Sequence, residues 1–269
     1  MNPSVPSWAG VATSVVLVAA AIAVAWRQRL GLTRDIAVAA VRAAAQLVAV
    51  GAVLLVVFRH AGPAGVIGWL GLMVVIAGRV AAGRARGLPC VGPIAMAAVA
   101  VGTAATLGVL LAAGVIATQA RVVIPVGGMV VATAMQTTAL VLIRIGEEAR
   151  SGRPAIEARL ALGLPASEAF APHLRTALRT ALVPSVDSAK VVGLISLPGA
   201  MTGLILAGVE PLTAIRYQIV VMYMLIAAAA LAALTAARLA ERALFDHATA
   251  QDLLGASIFS SSSHLAVRC

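Results

Sequence analysis

The sequence predicts an all-α, polytopic membrane protein with seven transmembrane helices, its N-terminus outside and its C-terminus inside. Three observations predict it. Of the 269 residues, 61% are hydrophobic and only 11% charged, whereas a soluble domain carries roughly 25% charged residues. Long stretches contain no Asp, Glu, Lys or Arg. The arginines between those stretches are abundant in every second loop and sparse in the others. With a mean hydropathy of +1.02, the apolar surface has to be solvated by lipid. This excludes an ordinary soluble globule, and it excludes a disordered chain, which requires low hydrophobicity.

A spanning helix needs about 20 mostly apolar residues, so the charge-free stretches define the elements in order. The first has its core at Trp8 to Trp26. Nothing charged precedes Arg27, so it reads as an uncleaved anchor; a secretory signal has a basic start and a short apolar core. The second, Ile36 to Phe58, is interrupted by Arg42 and Gln46. The third runs from Ala64 to Gly78. The fourth gap, Gly87 to Ala120, is shorter than two spans and a turn require, so it holds one helix with Gly- and Pro-rich ends. Val122 to Ile143, Val191 to Val209 and Tyr217 to Ala237 complete the seven.

The arginines orient these spans by the positive-inside rule. Arg27, Arg29 and Arg34 follow span one, and Arg79, Arg84 and Arg86 follow span three. Six arginines between Arg144 and Arg179 follow span five, and Arg238 and Arg242 follow span seven. The opposite loops carry only Arg59, Arg121 and Arg216. The net charge of +10 and pI near 11.4 are therefore assigned to cytoplasmic loops facing membrane lipid, and no nucleic-acid partner is expected. Residues 1–246 read as one transmembrane domain with a cytoplasmic segment at 144–187. Residues 247–269, with four consecutive serines, read as a disordered cytoplasmic tail. No internal repeat supports an inverted-repeat transporter. Cys90 and Cys269 are too far apart in sequence to suggest a disulfide framework.

Several chemistries are missing. The chain has one lysine, Lys190, in DSAKVVG, and a P-loop needs its lysine beside Ser or Thr after a glycine-rich turn. No nucleotide site, catalytic residue or cofactor is expected in this chain, and neither the cysteines nor the histidines suggest a metal site; whether any other residues hold a metal is left open by the sequence. His60, His173, His247 and His264 are scattered in sequence, and no carboxylate pair lies within the spans.

The cytoplasmic segment is organised. Pro154 suits the first turn of a helix, Ile156 to Leu162 continue it, and Gly163 and Pro165 stop it. A second helix opens at Ser167 and Glu168. It is apolar at Ala169, Phe170, Leu174, Leu178 and Leu182 and basic at Arg175 and Arg179. It reads either as a solvated connector or as a docking element for a cytoplasmic partner.

Three stretches carry a family resemblance. GLISLPGAMTGLILAGVEPLTAIRYQIVVMYML, Gly193 to Leu225, closely resembles a signature of the FetB/YbbM family, bacterial ABC permeases described as iron exporters, with plant relatives linked to aluminium tolerance. PVGGMVVATAM (Pro125 to Met135) and PSVDSAK (Pro184 to Lys190) are further matches. Two positions depart from the family: Ala132-Thr133 stands where Gly-Asn is usual, and Asp187 where Asn is common. The resemblance covers about Arg42 to Arg238 and is strongest after Arg144. It implies a permease half-transporter: two copies with two copies of a separate cytoplasmic ABC ATPase that holds ATP and Mg. It implies a place in the bacterial inner membrane and export of iron or another metal species. Glu157-Ala158 followed by Gly163 has the EA-x4-G spacing with which ABC permeases engage their ATPases, so Glu157, Ala158, Gly163 and Pro165 are the expected coupling residues.

The candidate pathway residues each carry two readings. Gln46 is either a helix–helix hydrogen bond or a pathway group. Asp187, Ser188 and Lys190, at the mouth of span six, form either a local ion pair or a polar gate. Leu197-Pro198-Gly199 interrupts span six near its middle, with Ser196 and Thr202 inside the break; such breaks are tolerated only where protein or a cavity satisfies the backbone. Met129, Met135, Met201 and other methionines are either gap-fillers or soft ligands. Gln218 joins this set. Two rivals follow: a proton-coupled secondary transporter, which usually holds a mid-membrane carboxylate, and a membrane scaffold that moves nothing.

Overall fold

The computed structural model describes residues 8–246 except 30, 32, 61, 86 and 196. The expected tail at 247–269 and Ser196 lie outside the described residues. The chain divides into two compact units, Met1–Gly65 and Val66–Cys269.

In the first unit α1 (Trp8–Arg27) and α2 (Thr33–His60) pack against each other. The turn between them places Arg29 and Gly31 at positive φ, 52° and 69°. Asp35 lies in the first turn of α2, where a carboxylate complements the helix dipole. Large apolar side chains face outward, with Leu17 and Leu47 each 74% exposed. In lipid such exposure costs nothing.

The second unit is built on α3 (Pro63–Arg84), α4 (Val91–Ala112), α5 (Ala120–Ser151) and α9 (Pro211–Asp246). Small residues bring these helices together, as expected where lipid removes the hydrophobic drive for helix association. Ala228, Ala229, Ala232, Ala233, Ala236 and Ala237 make a buried stripe along α9. Gly102 of α4 meets it so closely that a Cβ would lie 2.9 Å from the Ala232 Cβ and 3.1 Å from the Ala228 carbonyl oxygen. Gly127 and Gly128 of α5 receive Leu70 and Met73 of α3, and Gly78 of α3 receives Met96.

Among the described residues, four helices are long and apolar enough to cross a membrane: Pro63–Arg84, Val91–Ala112, Ala120–Ser151 and Pro211–Phe245. They coincide with the third, fourth, fifth and seventh expected spans, and the long fourth gap does hold a single helix. A shorter apolar stretch, Ala12–Arg27, lies in α1. With 32 and 36 residues, α5 and α9 are about 48 and 54 Å long at 1.5 Å per residue. That exceeds a hydrocarbon core of about 30 Å. Their surplus turns carry Arg144, Arg150, Arg238 and Arg242.

On this surplus sit α6 (Arg153–Ala161) and α7 (Ala166–Val191). The helix expected from Ser167 is present, and Ala169, Phe170 and Leu174 are buried, with Leu178 and Leu182 half-buried. It runs further than expected, through Pro172 and Pro184 to Val191.

Span six differs from the expected membrane-long helix. Val192 to Ile195, Leu197 and Pro198 are not helical, and α8 (Gly199–Leu206) has only 8 residues, about 12 Å. Gly193 takes φ +84°, and Pro198 stands at the α8 N-cap, where proline biases the residue before it away from helix. The break foreseen at Leu197-Pro198-Gly199 thus separates α7 from α8.

Candidate functional site

Two features bring expected site residues together. The first is the elbow between α6 and α7. The Gly163 N–H donates to the Leu160 carbonyl at 2.9 Å and the Leu164 N–H to the Arg159 carbonyl at 3.2 Å. This pair of bonds is a Schellman motif, and it requires the left-handed φ of +86° that Gly163 adopts. Pro165 follows as the N-cap of α7. The motif leaves Glu157, Ala158, Leu162, Gly163 and Pro165 exposed at one tip. Glu157 is held by Arg153, whose Nε donates to Oε1 at 2.6 Å. Leu162 is 80% exposed and was not foreseen as part of this surface.

The elbow stands on a packed base. Phe170 is completely buried, stacks on His173 and meets Phe245 edge-on with ring centroids 5.7 Å apart. His173 Nδ1 pairs with Glu148 Oε2 at 2.9 Å, joining α7 to the end of α5. The imidazole occupies the space that any side chain at Gly152 would need. Arg159 donates to the Ala169 carbonyl at 3.2 Å, tying α6 to α7. The Glu148–His173 pair was not anticipated, because nothing in the sequence links residues 25 positions apart.

The second feature is a pair of cavities that meet at Met222 of α9. The larger, about 470 Å³, is walled by the α7–α8 connection, α8 and α9, including Val192, Pro198, Met201, Gln218, Met222 and Tyr223. The smaller, about 210 Å³, is lined by Thr133 and Gln136 of α5, Pro184, Ser185 and Ser188 of α7, and Met222 with its neighbours on α9. Met222 borders both. Gln218 is 4% exposed, and neither end of its amide has a hydrogen-bond partner.

The remaining candidates separate. Met129 and Met135 are half-buried against the apolar clusters of the helix bundle. Lys190 pairs with Asp187 at 3.1 Å, and both side chains are exposed. Thr202 donates to the Pro198 carbonyl at 3.2 Å, holding the first turn of α8. Gly199 opens that helix without lining either cavity. Gln46 is exposed on α2, in the other unit. Thr133, Gln136 and Ser185 were missed; Gln136 was legible as a polar side chain inside an apolar span. Among the described residues no three His, Cys, Asp or Glu come together to hold a metal ion.

Long apolar helices, interfaces of small residues and cavities at helix breaks define an all-α, multi-pass membrane protein. The chain belongs to the Uncharacterised protein family (UPF0014), which it matches over residues 8–245. It is 40% identical over 229 residues to the UPF0014 membrane protein STAR2 of Oryza sativa subsp. japonica, covering 85% of this chain and 80% of that protein. It is 36% identical over 240 residues to the probable iron export permease protein FetB of Escherichia coli, covering 87% and 91%. It is 35% identical over 241 residues to the protein ALUMINUM SENSITIVE 3 of Arabidopsis thaliana, covering 88% and 87%. The family is therefore the one that Gly193 to Leu225 resembles. No solved structure matches the chain.

Proposed function

We propose that this chain is the membrane-spanning permease subunit of an ABC exporter. Seven apolar stretches cross the membrane, the sixth as a broken segment holding the short α8; the N-terminus is outside and the C-terminus inside, and the chain acts as a homodimer with two copies of a separate ATPase. The cargo is iron or another metal species leaving the cytoplasm of a bacterium across its inner membrane. The chain itself catalyses nothing; ATP and Mg belong to the partner. The observation that carries this reading is the elbow. Glu157 and Ala158 on α6 and Gly163 on the turn after it stand exposed, on a segment packed against the ends of α5 and α9 that carry Arg144, Arg150, Arg238 and Arg242. The permease named among its relatives supports the transport role.

The test is reconstitution of the full chain with its partner ATPase in lipid, comparing wild type with Glu157→Ala and Gly163→Val. The wild-type chain alters ATP turnover, and both variants reduce that effect several-fold. Glu157→Ala leaves stability nearly unchanged, because an exposed i,i+4 pair contributes only about 0.3–0.5 kcal/mol. ATP turnover indifferent to the chain, or transport in vesicles without ATP, overturns the proposal.

A further inference from the structure

The two cavities that meet at Met222 share one property: among the described residues their walls contain no Asp, Glu, Lys, Arg or His, whereas a third cavity further along α9 is lined by Glu168, Arg175, Arg238 and Glu241. Their polar side chains are neutral amides and hydroxyls, from Thr133, Gln136, Ser185 and Ser188 in the smaller cavity and Gln218 and Tyr223 in the larger. Moving a bare multivalent cation into such a wall costs several kcal/mol for each charge left without a counter-ion. Two methionine sulfurs, on Met201 and Met222, do not offset that for a hard ion.

Size points the same way. A volume of about 470 Å³ falls within the range of about 300–1,000 Å³ typical of small-molecule pockets, whereas a water molecule occupies about 30 Å³. The walls are apolar except at a few places, as in sites that orient an organic ligand by one or two hydrogen bonds. Gln218 is the group suited to that task. It is nearly inaccessible, it borders the cavity, and both its donor and its acceptor are unpartnered. Each such group costs about 1–3 kcal/mol while unsatisfied, and a ligand with complementary groups removes that cost.

We infer that the Gln218 cavity receives its cargo as an electrically neutral ligand of organic size, either a small organic molecule or a metal wrapped in a neutral chelate, and that Gln218 is the hydrogen-bonding anchor. For a metal cargo this rests on the exporter reading above, and it specifies the form in which the metal is handed over.

The experiment uses the full chain in lipid nanodiscs and equilibrium dialysis against three probes: ferric tris(maltolate), maltol alone and ferrous sulfate. Wild type retains iron and maltolate together, and ferrous ion at least tenfold less. Retention of maltol alone at equal affinity assigns the site to the organic molecule; retention only of the complex assigns it to the chelate. Gln218→Leu weakens retention about tenfold or more, equivalent to about 1.4 kcal/mol. The same variant leaves the thermal midpoint unchanged or raised, because it removes an unsatisfied buried amide; a merely structural Gln218 would lower it. Failure of wild type to retain either neutral probe, equal retention of ferrous ion, or indifference to Gln218→Leu overturns the inference. Stimulation of the ATPase by ferrous ion without chelate binding overturns it and leaves the exporter reading intact. Chelate binding without any effect on the ATPase does the reverse.

Discussion

Phe170→Ala tests whether the elbow is held by the bundle or merely attached to it. The ring is fully buried and faces Phe245 at a centroid distance of 5.7 Å. Truncating a buried Phe to Ala costs about 3–5 kcal/mol, combining lost transfer energy with the cavity left behind. The aromatic contact contributes about 0.5–1.5 kcal/mol of that. Phe245 is only half-buried near the end of α9, so it can lean into part of the vacancy, and the expected loss is at the low end, about 3 kcal/mol. At about 2–4 °C per kcal/mol for a chain of this size, the thermal midpoint falls by roughly 6–12 °C. Phe170→Leu keeps most of the volume and loses less than about 1.5 kcal/mol. Thermal unfolding of the detergent-purified chain measures both. Stimulation of the proposed ATPase partner should fall in the same order, wild type above Leu above Ala. A midpoint shift under about 2 °C for the Ala variant, or a Leu variant worse than Ala, refutes the view that Phe170 anchors the elbow.

Three further outcomes follow from particular contacts. Gly102→Ala pushes a methyl group into the Ala232 side chain and the Ala228 backbone of α9 and should destabilise by about 1–3 kcal/mol. Gly108→Ala on the same helix meets nothing within 4 Å and should stabilise by up to about 1 kcal/mol; the same melting experiment reads both, and equal signs contradict the packing. Gly163→Ala forces a side chain into a left-handed turn and should cost about 1–2 kcal/mol, detectable as a lower midpoint with the α-helical circular dichroism preserved. A double-mutant cycle on Glu148→Gln and His173→Ala should give a coupling of about 0.5–3 kcal/mol. The same cycle on the exposed Asp187–Lys190 pair should stay below about 1 kcal/mol. Reversed magnitudes would mean that the Glu148–His173 contact does not fasten α7 to α5.

The sequence by itself determined the all-helical membrane class, because charge-free stretches and arginine alternation are properties of the chain read in one dimension. Local chemistry was equally legible: Pro154 beginning α6, Gly163 and Pro165 ending it, and Leu197-Pro198-Gly199 breaking the sixth stretch all act through the backbone of their own neighbours. What needed the tertiary structure involves residues far apart. The Glu148–His173 pair, the burial of Phe170 against Phe245, and the seating of Gly102 on Ala228 and Ala232 each join separate helices. Pro184 argues locally for a stop, yet α7 continues to Val191, although its buried residues all precede that proline. The pathway candidates also divided in the tertiary structure. Met129, Met135 and Met201 are chemically alike in the sequence, but helix rotation places the first two against the bundle and the third in a cavity wall. Which way a side chain turns depends on what the neighbouring helices leave open, and that is set only when the bundle assembles.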